Sequence, residues 1–255
     1  KTPLSAFSLP MISREAITEA ATRYHTREFN VAREYVQHLF LSFLYKRADA
    51  ERLLFKGGTA LRIVYKSPRF SEDLDYSSYG LTTDQIENLF LSTLADLERF
   101  GLSLTLHGKS HETSGGYYGE ARLNLYEHVI ALEINVNTKA GKIVAGEYKF
   151  IHGDFAPNYG LQMLPEVMLI QEKVHALMAR RKPRDFYDLY FMLRAGLLPP
   201  DRRQILMEVL PVVETTNLDF RQELEVFLPQ DHQAVIRDFK RTLLSEVRRA
   251  LGVSL

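Results

Sequence analysis

The sequence predicts an α+β fold: a mixed sheet with flanking helices, followed by a half built of helices alone. Three observations carry this. Apolar residues recur at helical spacing in the first 50 positions. Strand-like alternation then recurs between residues 52 and 136, with helical segments between the strands. Beyond about residue 160 only helical patterns and helix-start signals remain. The chain is therefore read as two regions, 1–160 and 161–255.

Each element has a local reason. Ser13 is a cap for a first helix running to about Tyr24, and Asn30 is a cap for a second. In that second segment Tyr35, Val36, Leu39, Phe40, Phe43 and Leu44 fall on one face. Arg52 to Phe55 reads as a short buried strand, Gly57-Gly58 as a turn, and Thr59 to Lys66 as a short helix. Asp73 to Ser77 alternates like a strand. Thr82 with Gln85 forms a capping-box pattern that opens a helix ending near Gly101. Leu102, Leu104 and Leu106 alternate, as do Ala121, Leu123 and Leu125, and a further strand spans His128 to Val136. Leu164-Pro165 opens a helix through about Arg181, Pro183 interrupts it, and Asp185 begins another that reaches Arg194. Asp201 with Gln204, Asn217 and Asp231 mark three more starts.

Composition narrows the function. The chain has 255 residues, 45% hydrophobic and 25% charged, an ordinary globular balance. No apolar run approaches the length that spans a bilayer. Lys1 to Pro10 lack the apolar core of a secretion signal, so no signal peptide is expected. Cysteine is absent, which excludes disulfide scaffolds and thiolate metal sites and is compatible with the cytoplasm. Lys+Arg and Asp+Glu are both 32. That balance argues against non-specific coating of nucleic acid and leaves room for a local patch that binds one phosphate-bearing ligand or one tRNA end.

The chemistry is concentrated in Lys56-Gly57-Gly58-Thr59-Ala60-Leu61 and Arg69-Phe70-Ser71-Glu72-Asp73-Leu74-Asp75. Strand periodicity puts Asp73 and Asp75 on one face, where two carboxylates can share a metal ion. Mg²⁺ is commonly held by one or two carboxylates plus substrate phosphates. Gly57-Gly58 removes side chains where a triphosphate must approach the backbone. Lys56 precedes the glycines, so this is not a P-loop, and the kinase and dinucleotide glycine patterns are absent. Arg69 and Ser71 are placed to contact phosphate, with pairing of Arg69 to Glu72 as the alternative.

These residues resemble the first motif of the DNA-polymerase-β-like nucleotidyltransferase superfamily. More narrowly, they resemble the AbiEii nucleotidyltransferase toxins, which include the MenT group. Glu172-Lys173 and Arg184-Asp185-Phe186-Tyr187-Asp188-Leu189 resemble that family's later motifs, so the likeness covers roughly residues 30 to 195. Two departures stand out: Thr59 follows the glycines where some members have Gly-Ser, and the gap to Asp73 is longer than in their short form. The resemblance implies a nucleotidyltransferase fold in 1–160, and a helical region, 161–255, that completes the active site. It implies Asp73, Asp75, Lys173 and Asp185 as catalytic residues. Gly57, Gly58, Thr59, Arg69, Ser71 and Lys173 are expected at the nucleotide, and Asp73, Asp75 and Glu133 at Mg²⁺ or Mn²⁺.

Glu133 is the expected third carboxylate because Ile130, Leu132, Ile134 and Val136 leave it alone on the opposite strand face, with Asn135 beside it. An unpaired acid in such a strand is costly to bury. Lys173 interrupts an otherwise apolar helix, and Arg180, Arg181, Lys182 and Arg184 cluster around Pro183. The resemblance gives Lys173 the neutralisation of triphosphate charge, and gives Asp185 the orientation of Lys173 or the binding of metal or acceptor. It further implies a cytoplasmic toxin that transfers nucleotides from an NTP to the 3′ end of tRNA or another RNA, a cognate antitoxin partner, and no membrane. The alternatives are a transferase acting on a small molecule or protein, and a catalytically silent nucleotide-binding regulator.

Overall fold

The computed structural model describes residues 10–105, 111–139 and 143–253. Residues 1–9 and Leu106, the last of its three alternating leucines, lie outside them. The chain divides into two compact units. The first is 1–64 with 71–164, and the second is 65–70 with 165–255. The short excursion at 65–70 is held in the second unit by backbone and side chain alike: Phe70 N–H donates to the Phe227 carbonyl at 2.8 Å, and the Tyr65 hydroxyl to Glu166 at 2.9 Å.

The first unit opens with α1 (Arg14–Arg23), where the Ser13 hydroxyl accepts from the Ala16 amide. Next comes α2 (Glu28–Leu44), which begins two residues before the expected cap. Arg27 occupies the cap position, and Asn30 lies inside the first turn, buried, with its amide donating to Thr26 Oγ1. This helix is buried on nearly every side, polar residues Glu34, Gln37 and His38 included. Then follow β1 (Leu53–Lys56), α3 (Gly57–Ile63), β2 (Leu74–Tyr79) and α4 (Thr83–Phe100). The Thr82–Gln85 capping box forms reciprocally, and Gly101 closes α4 in the left-handed conformation.

Six further strands complete the unit: β3 (Ser103–Thr105), β4 (His111–Thr113), β5 (Gly116–Leu125), β6 (His128–Lys139), β7 (Glu147–Ile151) and β8 (Tyr159–Met163). The order across the sheet is β3-β5-β6-β2-β1-β8-β7, with β4 beside β5. Pairs β1–β8 and β2–β6 are parallel and the rest antiparallel, so the sheet is mixed. Strands β4, β7 and β8 are additional to those expected from the sequence.

Register divides the sheet into two unlike faces. One carries Phe55, Tyr76, Val136, Tyr117, Leu161 and Met163, all buried. Helices α2 and α4 cover it: His38 Nδ1 meets the Tyr159 hydroxyl at 2.9 Å, and the Phe90 ring presses on Gly119. The other face carries Lys56, Asp75, Ser77, Glu133, Asn135, Asn137 and Tyr118. Alternation along each strand thus delivers an apolar side to the helices and a polar side to chemistry.

The second unit holds α5 (Glu166–Arg180), α6 (Pro183–Arg194), α7 (Leu206–Thr215), α8 (Phe220–Leu224) and α9 (Phe239–Leu251), with 3₁₀ turns at Pro200–Ile205 and Gln230–Asp238. Its core is aromatic. Tyr187 stacks on Phe239 with centroids 5.9 Å apart, and Phe220 meets the same ring at 4.9 Å. Pro183 is the first residue of α6, where its missing N–H costs nothing, so Asp185 is a first-turn residue rather than the cap. Asp219, not Asn217, caps α8, accepting from the Arg221 and Gln222 amides. Asp201 and Asp231 open 3₁₀ turns that lead into α7 and α9.

One hydroxyl ties α2 to the short parallel pair β1–β8. The Tyr45 O–H is shared between the Leu53 carbonyl at 2.7 Å and the Gln162 carbonyl at 3.0 Å. Burial raises the proton affinity of this phenol well above the ordinary tyrosine range, so the group remains a donor. Tyr45→Phe leaves both carbonyls without it and is expected to lower stability by about 1–2 kcal/mol. Urea denaturation measures this, and a change below a few tenths would contradict it.

Candidate active site

The geometry begins at the join of β1 and α3. Gly57 has φ +81°, a conformation that disfavours any residue with a side chain. A Cβ at Gly57 would also lie 2.1 Å from Asp75 Oδ2 and 2.8 Å from Asp75 Cγ. The bare α-carbon is therefore the seat of the Asp75 carboxylate. Gly58 is buried in the first turn of α3. Thr59 is fully buried, and its hydroxyl donates to the backbone carbonyl of Asp73. The loop before β2 is fixed from the other side by Gln37, whose amide donates to the Ser71 and Glu72 carbonyls at 3.1 and 2.7 Å.

Asp75 stands opposite Lys56 in the antiparallel pair and opposite Asn135 in the parallel one. Leu74 is paired with Ile134, which brings the preceding Asp73 beside Glu133. Glu133 in turn faces Glu120 on β5. Like charges on neighbouring strands repel, and the effect is visible on Glu133. Partial burial and then the nearby Asp73 raise its proton affinity above the usual carboxylate range. The Tyr118 phenol, pushed up by burial and by Glu133 and Glu120, is an un-ionised donor between them. Arg33 is the offsetting cation: it pairs with Glu72 at 3.3 Å and feels Asp73 and Glu133 as well. Lys56 is buried and donates to Asn137 Oδ1 at 3.0 Å, a cation on the carboxylate face that sequence reading did not single out.

These features suit a hard cation. Two acids lie on one polar sheet face, one of them seated on a glycine, with a third carboxylate destabilised by its neighbours. Asp73, Asp75 and Glu133 do not already converge as a closed cage. Among the described residues, the trio whose ligand atoms fall within 4.8 Å of one another is Glu28, Glu127 and His128. Two of its three members are otherwise engaged, since Arg14 pairs with Glu127 at 2.5 Å and Thr18 donates to Glu28 at 2.7 Å. An open carboxylate set is what Mg²⁺ requires when substrate phosphates complete its shell.

The second unit has its own charged centre. Asp188 is buried and accepts from Lys173 Nζ at 2.7 Å and from Arg69 Nε and Nη2 at 3.0 and 2.8 Å. Burial alone would raise the Asp188 pKa, but the two cations overcome it and hold the group below the ordinary range. Two cations on one anion leave the cluster with an excess positive charge. Arg69 therefore pairs with Asp188, not with Glu72. Lys173 is likewise oriented by Asp188 and not by Asp185. The Asp185 carboxylate is taken up by Arg180, with contacts of 2.7–3.1 Å, and by the Lys182 amide at 3.1 Å. Asp188 was legible only as part of the family motif, because its charge partners, Lys173 and Arg69, lie 15 and 119 residues away.

A family model described as the nucleotidyl transferase AbiEii toxin of type IV toxin–antitoxin systems matches residues 39–252. The chain belongs to the AbiEii nucleotidyltransferase toxins. Solved structures agree on the fold. JHP933 from Helicobacter pylori superposes with a TM-score of 0.63 at 18% identity, covering 88% of this chain and 93% of that one. MenT4, a nucleotidyltransferase toxin from Mycobacterium tuberculosis, gives 0.62 at 17% identity, covering 95% and 91%. No curated protein matches the sequence. As an AbiEii-family member the chain is an enzyme that uses an NTP, and its family implies an antitoxin partner. Among the described residues no helix is long and apolar enough to cross a membrane.

Two tests address this geometry. Gly57→Ala is expected to push Asp75 from its seat, weakening Mn²⁺ binding at least about tenfold, with a stability loss of about 1–3 kcal/mol from the left-handed backbone. Unchanged Mn²⁺ affinity by paramagnetic titration would refute the seating. Asp188 has a depressed folded pKa, so its contribution is present above the unfolded value of about 3.9 and is lost as pH falls through the folded value. Asp188→Asn should cost about 3–5 kcal/mol at pH 7. The gap between wild type and variant should then close below about pH 4. Denaturation at a series of pH values reads both.

Proposed function

We propose that this toxin transfers a nucleotide from an NTP to the 3′ hydroxyl of an RNA, with the tRNA acceptor end as the favoured acceptor, in the cytoplasm. Asp73 and Asp75, with Glu133 alongside, would hold Mg²⁺ or Mn²⁺. The observation that carries the reading is the Asp75 carboxylate resting on the bare α-carbon of Gly57, on the same sheet face as Glu133. A divalent cation bound there neutralises phosphate charge and favours departure of pyrophosphate.

The residues of the chain supply position. Gly57 and Gly58 keep side chains away from the phosphates. Thr59 acts through the Asp73 backbone, and Gln37 through the backbone of Ser71 and Glu72, so Thr59 is a positioning residue rather than a phosphate contact. Lys173 and Arg69, held by Asp188 with an excess positive charge, suit the neutralisation of a triphosphate. Exposed Arg181 and Lys182 give the net-neutral chain a local patch for an RNA backbone. The acceptor oxygen attacks the α-phosphorus, the bond to the β-phosphate oxygen breaks, and the nucleotide is added to the acceptor.

Incubation with each α-labelled NTP and bulk tRNA, followed by separation of RNA from protein, tests this reading. Label is expected in RNA. Asp73→Ala and Asp75→Ala should each reduce transfer at least about a thousandfold, with melting temperature unchanged or raised as site repulsion is relieved. Label in protein or in a small molecule would replace the RNA acceptor. No turnover of any NTP by wild type would favour a silent regulator.

A further inference from the structure

The strand farthest from β3, β7, carries two large rings that stay exposed. Its sequence alternates Glu147, Tyr148, Lys149 and Phe150. Tyr148 is 64% exposed and Phe150 51%, in a chain whose other large rings are mostly buried. Register places both rings on the carboxylate face. Tyr148 pairs with Gln162, which lies beside Leu54, and Leu54 pairs with Ser77, two residues along β2 from Asp75. Phe150 pairs with Gly160. A Cβ at Gly160 would sit 2.3 Å from the Tyr148 hydroxyl and 2.5–2.6 Å from two of its ring carbons. The Tyr148 ring thus leans across β8 over a residue with no side chain, and the residue remains exposed.

We propose that Tyr148 and Phe150 form a stacking platform for the unpaired bases of the RNA acceptor next to its reacting 3′ end. The proposal rests on the RNA reading above and deepens it. Residues two apart on a strand are roughly 6.8 Å apart, room for one base on each ring. Strand β7 lies three strand spacings from β2, roughly 14 Å at about 4.8 Å each, within the same unit and on the same face. A short single-stranded segment that presents its terminal hydroxyl at Asp73 and Asp75 would run across that face. Single-stranded RNA is bound in this way on other sheets, by aromatic side chains that accept any base. The surroundings favour it over a protein partner. On their own face the rings stand with Gln162 and with His152, whose ring meets Phe150 at 4.9 Å, rather than in a continuous aliphatic patch.

The test uses the full chain and a short fluorescein-labelled single-stranded RNA with a free 3′ hydroxyl. For Tyr148→Ala/Phe150→Ala, the RNA dissociation constant and the KM for RNA are expected to rise about tenfold or more. KM for NTP and melting temperature should hold. Tyr148→Phe/Phe150→Tyr, which keeps two rings, should bind as wild type. Gly160→Ala, which displaces the Tyr148 ring, should weaken binding with β7 intact by circular dichroism. Equal RNA affinity in wild type and the double alanine variant overturns the platform. If wild type still labels RNA in that case, the proposed activity stands without it. Wild type that neither binds nor labels RNA removes both. A double variant that keeps RNA affinity but escapes its antitoxin overturns the platform in favour of a protein-docking face.

Discussion

The carboxylate of Asp75 lies against the α-carbon of Gly57, and the neighbouring elements are arranged around that contact. It needs β1 and β2 to be antiparallel neighbours in one register, so that Lys56 and Asp75 face each other and Gly57 follows at the rim. It needs a left-handed residue where strand becomes helix. It also needs the approach to β2 to be fixed without side chains in the way, which Thr59 and Gln37 achieve through backbone carbonyls. Two helices, α2 and α3, thus hold the backbone from Ser71 to Asp73.

Gathering acids raises the electrostatic energy of the unit. Asp73, Glu133 and Glu120 lie side by side across adjacent strands, and the strain appears as the raised proton affinity of Glu133. Arg33 offsets part of it at the cost of its own desolvation, which is the largest influence on that guanidinium. Lys56 places a second cation on the same face. The second unit solves the opposite problem. There two cations need an anion, and Asp188 is buried between them. The contrast between Asp185 and Asp188 is one of reach: Asp185 sits three residues from an amide it can cap, so local geometry claims it, whereas Asp188 projects into the packed interior, where its partners come from α5 and from Arg69.

That contrast marks what was legible in the sequence. Elements whose signals are local were readable: Ser13 and Thr82 as caps, the alternating strands β5 and β6, and the Gly-Gly and Asp-Leu-Asp spacing. Asn30 misled because a good capping residue is equally content inside a first turn when its amide finds a hydroxyl one turn back. The Asp201 and Asp231 signals were real starts, but of 3₁₀ turns, since a start signal specifies the first turn and not what propagates from it. The pairings of Lys56 with Asn137 and of Arg69 with Asp188 span 81 and 119 residues, beyond the reach of periodicity.

The strands that escaped sequence reading share a further cause. Recognition of a strand relies on one apolar face, and that face exists only where something covers it. Strand β8 has an apolar face, but Gly160 and the preceding Pro157-Asn158 give its sequence the look of a loop. Strand β7 is the reverse case. Its pairing with β8 supplies the hydrogen bonds, so it needs few apolar residues to be a strand, and only Ile151 is buried. Its outward positions carry exposed rings where polar residues would have served solubility better. The glycine in β8 that hides that strand from sequence reading is the same one that lets the Tyr148 ring lean across the sheet. The irregularity that obscures the fold in this stretch is thus tied to a surface feature, the ring that the glycine accommodates.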